Sequence, residues 1–179
     1  MAAAAATSAA AAAAAVTDHL ADGAVRIRPA TSADRDFILG FAESFSAFPL
    51  PAGRRRETVD AGVRADISRH LDERPQGSHF FVLEHDGTAA GFIHLLLGTD
   101  FFGGAPTCHV SDLAVLPAHE GRGHARRMLD HAERFAREYA CTRLTLSVFP
   151  GNARARRLYE AVGYADDLLR MSKPLDGAD

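Results

Sequence analysis

Gly121, Arg122, Gly123, Ala125, Arg126 and Arg127 lie between a β-rich run that ends at Leu116 and the start of a helical run. The first-turn amides of a helix have no partner inside it and sit at the positive end of the aligned peptide dipoles, so a diphosphate can dock on them. Small residues at Gly121, Gly123 and Ala125 open the backbone to such an anion, and the three arginines add cationic charge in the same turn. Taken alone, GRG reads more simply as an ordinary loop followed by a solvated arginine face. Two other phosphate motifs fail on these residues. GxxxxGK[ST] requires a lysine, and the single lysine of the chain is Lys173. A dinucleotide fingerprint requires GxGxxG inside a parallel strand-helix-strand unit, whereas the spacing here is GxGxA after a strand in an antiparallel region.

The elements that must position this turn are readable from periodicity. VRIRPA alternates as a first strand from Val25. Thr31 and Asp34 form a capping-box pattern, and Phe37, Ile38, Phe41, Phe45 and Phe48 predict one amphipathic helix that Pro49 and Pro51 end. Val59, Val63, Ile67 and Leu71 mark a second helix. FFVLEHDGTAAGFIHLLLG predicts two strands about a tight turn at Asp86-Gly87. CHVSDLAVLP is a further strand closed by Pro117, and Ala125, Met128, Leu129, Ala132, Phe135, Ala136 and Tyr139 form the apolar stripe of a long helix. RLTLSV, ARARRLYEAV and LLRMSK then predict strand, helix and last strand. The order β-α-α-β-β-β-α-β-α-β implies an α/β (α+β) fold, a mixed sheet with helices on both faces.

A chain of 179 residues with 47% hydrophobic content suits one domain, placed at residues 25–175 between tails at 1–24 and 176–179. The alanine-rich start lacks a basic n-region and contributes no fold in this reading. A net charge of −3 gives no overall attraction to nucleic acid. Cys108 and Cys141 form no CxxC pair, and His109, His119, His124 and His131 show no HExxH or other ligand spacing, so no metal is expected. No run is long and apolar enough for a membrane span, and the expected location is the cytoplasm.

VSDLAVLPAHEGRGHARRML followed by LTLSVFPGNARARRLYEAVGY resembles the acetyl-CoA-binding core of the GNAT superfamily of N-acetyltransferases, and RIRPATSADRDFILGFAESF resembles its opening strand and first helix. The resemblance implies a twisted, mostly antiparallel sheet that splays open at its central strands to admit the pantetheine arm. It implies that Leu113, Ala114 and Val115 offer backbone groups to pantetheine, with an N–H near Val115 for the oxyanion. Gly121, Arg122, Gly123, His124, Ala125 and Arg126 would hold the pyrophosphate, Asn152 would touch the cofactor, and Tyr159 would protonate the departing sulfur. The family usually has Gln or Arg where this chain has Glu120; the expectation is that Glu120 turns outward and the neighbouring arginines compensate.

Acetyl transfer to an amine also needs a base, because an alkylamine with a pKa of about 10.4 arrives protonated at neutral pH. Asp112 and His94 are the candidates, each with a plainer reading as a structural acid and a satisfied strand histidine. The acceptor is a small-molecule or peptide amine. In the family, the region around Asp60, Asp66 and Arg54 to Arg56 shapes the acceptor pocket, and Phe101 and Phe102 either line that slot or anchor their loop. A homodimer through an exposed sheet edge is left open. The competing reading is a CoA-binding regulatory or interaction module of the same fold without turnover.

Overall fold

The computed structural model describes residues 25–174; the tails expected at either end fall outside this range. Five strands form one sheet in sequential order. They are β1 (Val25–Pro29), β2 (Ser78–His85), β3 (Thr88–Thr99), β4 (Pro106–Val115) and β5 (Arg143–Leu146). The first four are antiparallel neighbours and β4 pairs with β5 in parallel, which gives the mixed, mostly antiparallel sheet that was expected. The helices are α1 (Arg35–Leu39), α2 (Arg56–Glu73), α3 (His124–Glu138) and α4 (Ala153–Ala161).

Period-two alternation divides the strand residues between two cores. Val82 and Phe92 pack with Ile38, Leu39, Phe41 and Ile67 on the face covered by α1 and α2. Phe81, Leu83, Ile93, Leu95, Cys108 and Val110 pack under Met128, Leu129, Ala132, Phe135 and Ala136 of α3, with Leu158 and Tyr159 of α4 and its C-cap Val162 alongside. Each fully buried Leu, Ile or Phe contributes about 1.5–3 kcal/mol. The β2–β3 hairpin turns on Asp86 and Gly87 at φ 50° and 74°, the pair of left-handed residues that its sequence predicts.

Two expectations are corrected. The phenylalanine stripe does not make one helix: α1 stops at Leu39, and a 3₁₀ turn over Ala42–Ser46 carries Phe45. Gly40 and the serines at 44 and 46 weaken the helix there, and Ser44 Oγ donates to the Phe41 carbonyl instead. LLRMSK forms no strand; Leu168, Leu169 and Met171 are exposed. Adjacent leucines at 168 and 169 cannot share one sheet face. Arg143 and Arg156 instead draw the preceding Asp167 and Asp166 to the outside of β5 and α4.

One core residue carries a pH prediction. His131 on α3 is fully buried, its ring lies 4.5 Å from Phe81, and neither ring nitrogen has a hydrogen-bond partner. Burial pushes its pKa down to about 4, with Arg134 adding to the shift. The unfolded chain takes up a proton near pH 6.5, so this contribution to stability is complete above that pH and is lost as pH falls toward 4, by up to about 3 kcal/mol. His131→Leu should remove most of that acid sensitivity. Urea unfolding at pH 8 and pH 5 checks it: the parent weakens by about 2 kcal/mol more than the variant.

Candidate active site

The site is organised by an irregularity in β4. Leu95 of β3 faces Val110, but the next two pairs are His94 with Asp112 and Ile93 with Leu113, which leaves Ser111 as a one-residue bulge. Without the bulge Asp112 would follow Cys108 and Val110 into the core beneath α3, because a one-residue slip exchanges the faces of a strand. With it, Asp112 comes to the α2 side beside His94.

There the two candidates for the base form one buried unit. His94 Nδ1 is 2.9 Å from Asp112 Oδ2, and the His94 ring stacks on Phe80 at 3.8 Å between centroids. His94 Nε2 is 2.9 Å from Ser78 Oγ, Ser78 Oγ is 3.0 Å from His70 Nδ1, and His70 Nε2 is 2.9 Å from Arg69 Nη2. A guanidinium only donates and a carboxylate only accepts, so the chain has one direction. Arg69 donates to His70, His70 to Ser78, Ser78 to His94 and His94 to Asp112. Burial, and next the neighbouring His94, hold the His70 imidazole below the ordinary histidine range, in keeping with its neutral place in the chain. His94 is fully buried while the Asp112 side chain keeps 9% exposure, so of the two only the carboxylate reaches the surface. Ser78 and His70 were not foreseen. They become neighbours of His94 through the β2–β3 register and the packing of α2, which residue spacing does not reveal.

Beyond the bulge the sheet divides. Pairing between β4 and β5 ends at Val110 with Leu146, whereas β4 continues to Val115 against β3. Leu113, Ala114 and Val115 therefore lie where β5 no longer covers β4. The chain then passes through a 3₁₀ turn at Pro117–His119 to Gly121 and Gly123, both left-handed at φ 73° and 79°. Gly123 is the N-cap of α3 and offers no capping side chain, so no cap residue takes up the first-turn amides of His124, Ala125 and Arg126. A Cβ at Gly121 or Gly123 would meet nothing within 4 Å. Backbone twist asks for glycine here, and the space above the turn is open, as an anion site requires.

Glu120 is held by Arg154 of α4, with Arg154 Nη1 2.6 Å from Glu120 Oε2. Arg154, distant in sequence, is thus a partner of Glu120 beside the adjacent arginines expected to compensate it. Asn152 caps α4, its Oδ1 accepting from the Ala155 amide at 3.1 Å, which leaves Nδ2 to offer a ligand. Tyr159 is half-buried against the α3-side core, 5.9 Å from the Tyr164 ring, and burial raises its phenol above the ordinary tyrosine range. Arg54 lies over the Phe149 ring at 5.2 Å, Phe48 packs on Phe149 at 5.7 Å, and Pro49 abuts Gly151. The segment before α2 is thereby fastened to the loop after β5. Phe101 and Phe102 are 93% and 80% exposed, so they do not anchor their loop in the core. A pocket of about 320 Å³ among the C-terminal half of α3, β5 and the end of α4 contains none of the candidate residues.

A sheet divided beside β4, with a glycine turn and an open helix end at its mouth, is the frame that the sequence resemblance implies. The sequence model described as the acetyltransferase (GNAT) family matches residues 41–164, and the chain belongs to that family. It is 40% identical over 67 residues to N-alpha-acetyltransferase 40 of Saccharomyces cerevisiae, covering 33% of this chain and 23% of that protein. It is 33% identical over 86 residues to the streptothricin acetyltransferase of Streptomyces lavendulae, covering 48% and 43%. The chain thus spans less than half the length of each of these curated relatives. Among solved structures, an aminoglycoside N-acetyltransferase, AAC(6')-Iy, in complex with CoA superposes with a TM-score of 0.64 at 18% identity, covering 85% of this chain and 95% of that one. No described helix is long and apolar enough to cross a membrane.

Proposed function

We propose that the chain is an N-acetyltransferase that moves the acetyl group of acetyl-CoA to an amine of a small molecule or protein by direct attack in a ternary complex. The observation that carries this reading is the division of β4 from β5, which lies between the open turn at Gly121–Ala125 and the Asp112–His94 pair. The amides from Gly121 to Arg126 hold the diphosphate, and Leu113, Ala114 and Val115 pair with the pantetheine amides as a missing strand would. The amine comes from the α2 side. Asp112 takes its proton, while His94, fixed by Ser78 and His70, holds the carboxylate in place.

As the amine adds to the carbonyl, the oxygen gains negative charge beside the unpaired β4 amides near Val115, where a preorganised donor is effective. Tyr159 gives a proton to the sulfur as it leaves. Burial raises the phenol above its ordinary pKa, so it is protonated at neutral pH, the form a proton donor needs. The two curated relatives are named as an N-alpha-acetyltransferase and a streptothricin acetyltransferase, in keeping with acetyl transfer to an amine. The two free thiols, Cys108 buried and Cys141 half-buried, suit the cytoplasm.

Incubating the full chain with acetyl-CoA and a panel of polyamines, amino acids, aminoglycosides and N-terminal peptides, read by mass spectrometry, tests the reading. A product heavier by one acetyl group with matching thiol release supports it. CoA binding without any acetylated product would favour the non-catalytic module.

Glu120 gives a further prediction. Glu120→Gln removes a carboxylate beside the diphosphate and frees Arg154, but the pair is solvent-exposed and worth no more than about 1 kcal/mol. CoA affinity measured by calorimetry should therefore rise by less than about fivefold. A larger gain would mean that Glu120 opposes the phosphates directly.

A further inference from the structure

His85, His119 and His124 are far apart in sequence and converge beneath the glycine turn. His85 ends β2, His119 ends the 3₁₀ turn, and His124 opens α3. One ring nitrogen from each lies within 4.8 Å of the other two, and His85 Nδ1 is 2.9 Å from His124 Nε2. The ring centroids are separated by 4.9, 5.4 and 6.1 Å. Three imidazoles on one tetrahedral ion, with metal–nitrogen bonds of about 2.0–2.1 Å, place their nitrogens roughly 3.3 Å and their centroids roughly 5 Å apart. Small ring rotations therefore suffice to bring the trio onto a single ion.

Two further observations point to a ligand. His124 is only 3% exposed, and Nδ1 of His119 is buried with no hydrogen-bond partner, whereas the unpartnered Nδ1 of His124 lies on the far side of a ring whose Nε2 meets His85. A trio packed only as core would leave few such atoms, because buried polar groups are nearly always satisfied. On the outer side, His85 Nε2 lies 3.5 Å from Asp86 Oδ2. A carboxylate hydrogen-bonded behind a histidine orients a metal-bound imidazole and raises its basicity, and Asp86 is near enough to take that place.

We infer that His85, His119 and His124 form a three-histidine site for a borderline divalent transition-metal ion such as Zn²⁺, with a fourth position taken by water. Imidazole nitrogens suit this class of ion, whereas Mg²⁺ and Ca²⁺ require oxygen ligands. His119 and His124 flank Glu120–Gly123, so the ion ties both ends of the glycine turn to the end of β2. The expectation of no metal rested on linear spacing; this site is assembled by the fold from residues 34 and 5 positions apart.

The test uses the untagged full chain, stripped with a chelator and desalted, then titrated with Co²⁺ and with Zn²⁺ against a chromophoric indicator. The parent should bind one ion per chain and show the intense visible bands of four-coordinate cobalt, which Zn²⁺ displaces. His85→Gln and His119→Gln should each lose those bands, and Asp86→Asn should bind about tenfold or more weakly. His109→Gln, outside the trio, should match the parent. Absence of stoichiometric cobalt uptake by the folded parent overturns the inference without any variant, as does uptake that both glutamine variants retain. The readout needs no acetyl transfer, so it stands or falls separately from the proposed activity.

Discussion

Tyr159→Phe should lower kcat by about 100-fold or more while leaving CoA affinity within about twofold of the parent, because a positioned general acid contributes typically 10²–10⁴-fold. The substitution deletes one hydroxyl and keeps the ring that packs beside Leu158 and Val162 on the α3-side core, so the fold should be unaffected. Loss of the proposed proton donor should fall on departure of the sulfur and not on binding of either substrate. Steady-state rates with a saturating amine, paired with calorimetry for CoA, separate the two effects. A rate within a factor of three of the parent would reduce Tyr159 to a packing residue and leave sulfur departure to water.

Asp112→Asn should lower kcat/KM for the amine by about 100-fold near neutral pH, with the defect shrinking as pH rises. Asn Oδ1 can still accept the His94 Nδ1–H that now goes to the carboxylate at 2.9 Å, so the buried chain through Ser78 and His70 should survive. What is lost is the proposed acceptor for the proton of an amine whose pKa is about 10.4. Each unit of pH below that value cuts the free amine tenfold, and the variant's rate should follow that fraction directly. The pH–rate profile from pH 6.5 to 9.5 checks it. The variant should rise with a slope near one in log rate, while the parent rises less steeply. Parallel profiles would remove Asp112 from proton transfer.

The parts of the fold set by local chemistry were legible. Asp86-Gly87 announced the hairpin because few other dipeptides accept two left-handed residues, and the α3 stripe announced its buried face by period alone. The glycine turn was legible from its small residues between strand and helix, while the left-handed backbone of Gly121 and Gly123 came only with the structure. The β4 bulge left a fainter trace. Val110 and Leu113, three apart, face the same core, and strict alternation would have put an apolar residue where Asp112 stands. The His70–Ser78–His94 chain and the His85–His119–His124 trio left none. They depend on strand register and helix packing, which bring together residues that share no period. The first helix failed because Gly40 and two serines interrupt its phenylalanine stripe, and the last strand failed because Leu168-Leu169 cannot keep one face.

The proposed activity requires main-chain amides of the turn before α3 to receive the diphosphate of acetyl-CoA. Calorimetric titration of the full chain with coenzyme A, and in parallel with pantetheine, which has the same thiol arm but no diphosphate, tests that dependence most directly. The account predicts one saturable site for coenzyme A and at least about a hundredfold weaker binding of pantetheine, the equivalent of two tenfold steps of 1.4 kcal/mol each. No heat with coenzyme A, or equal affinity for the two compounds, would contradict it.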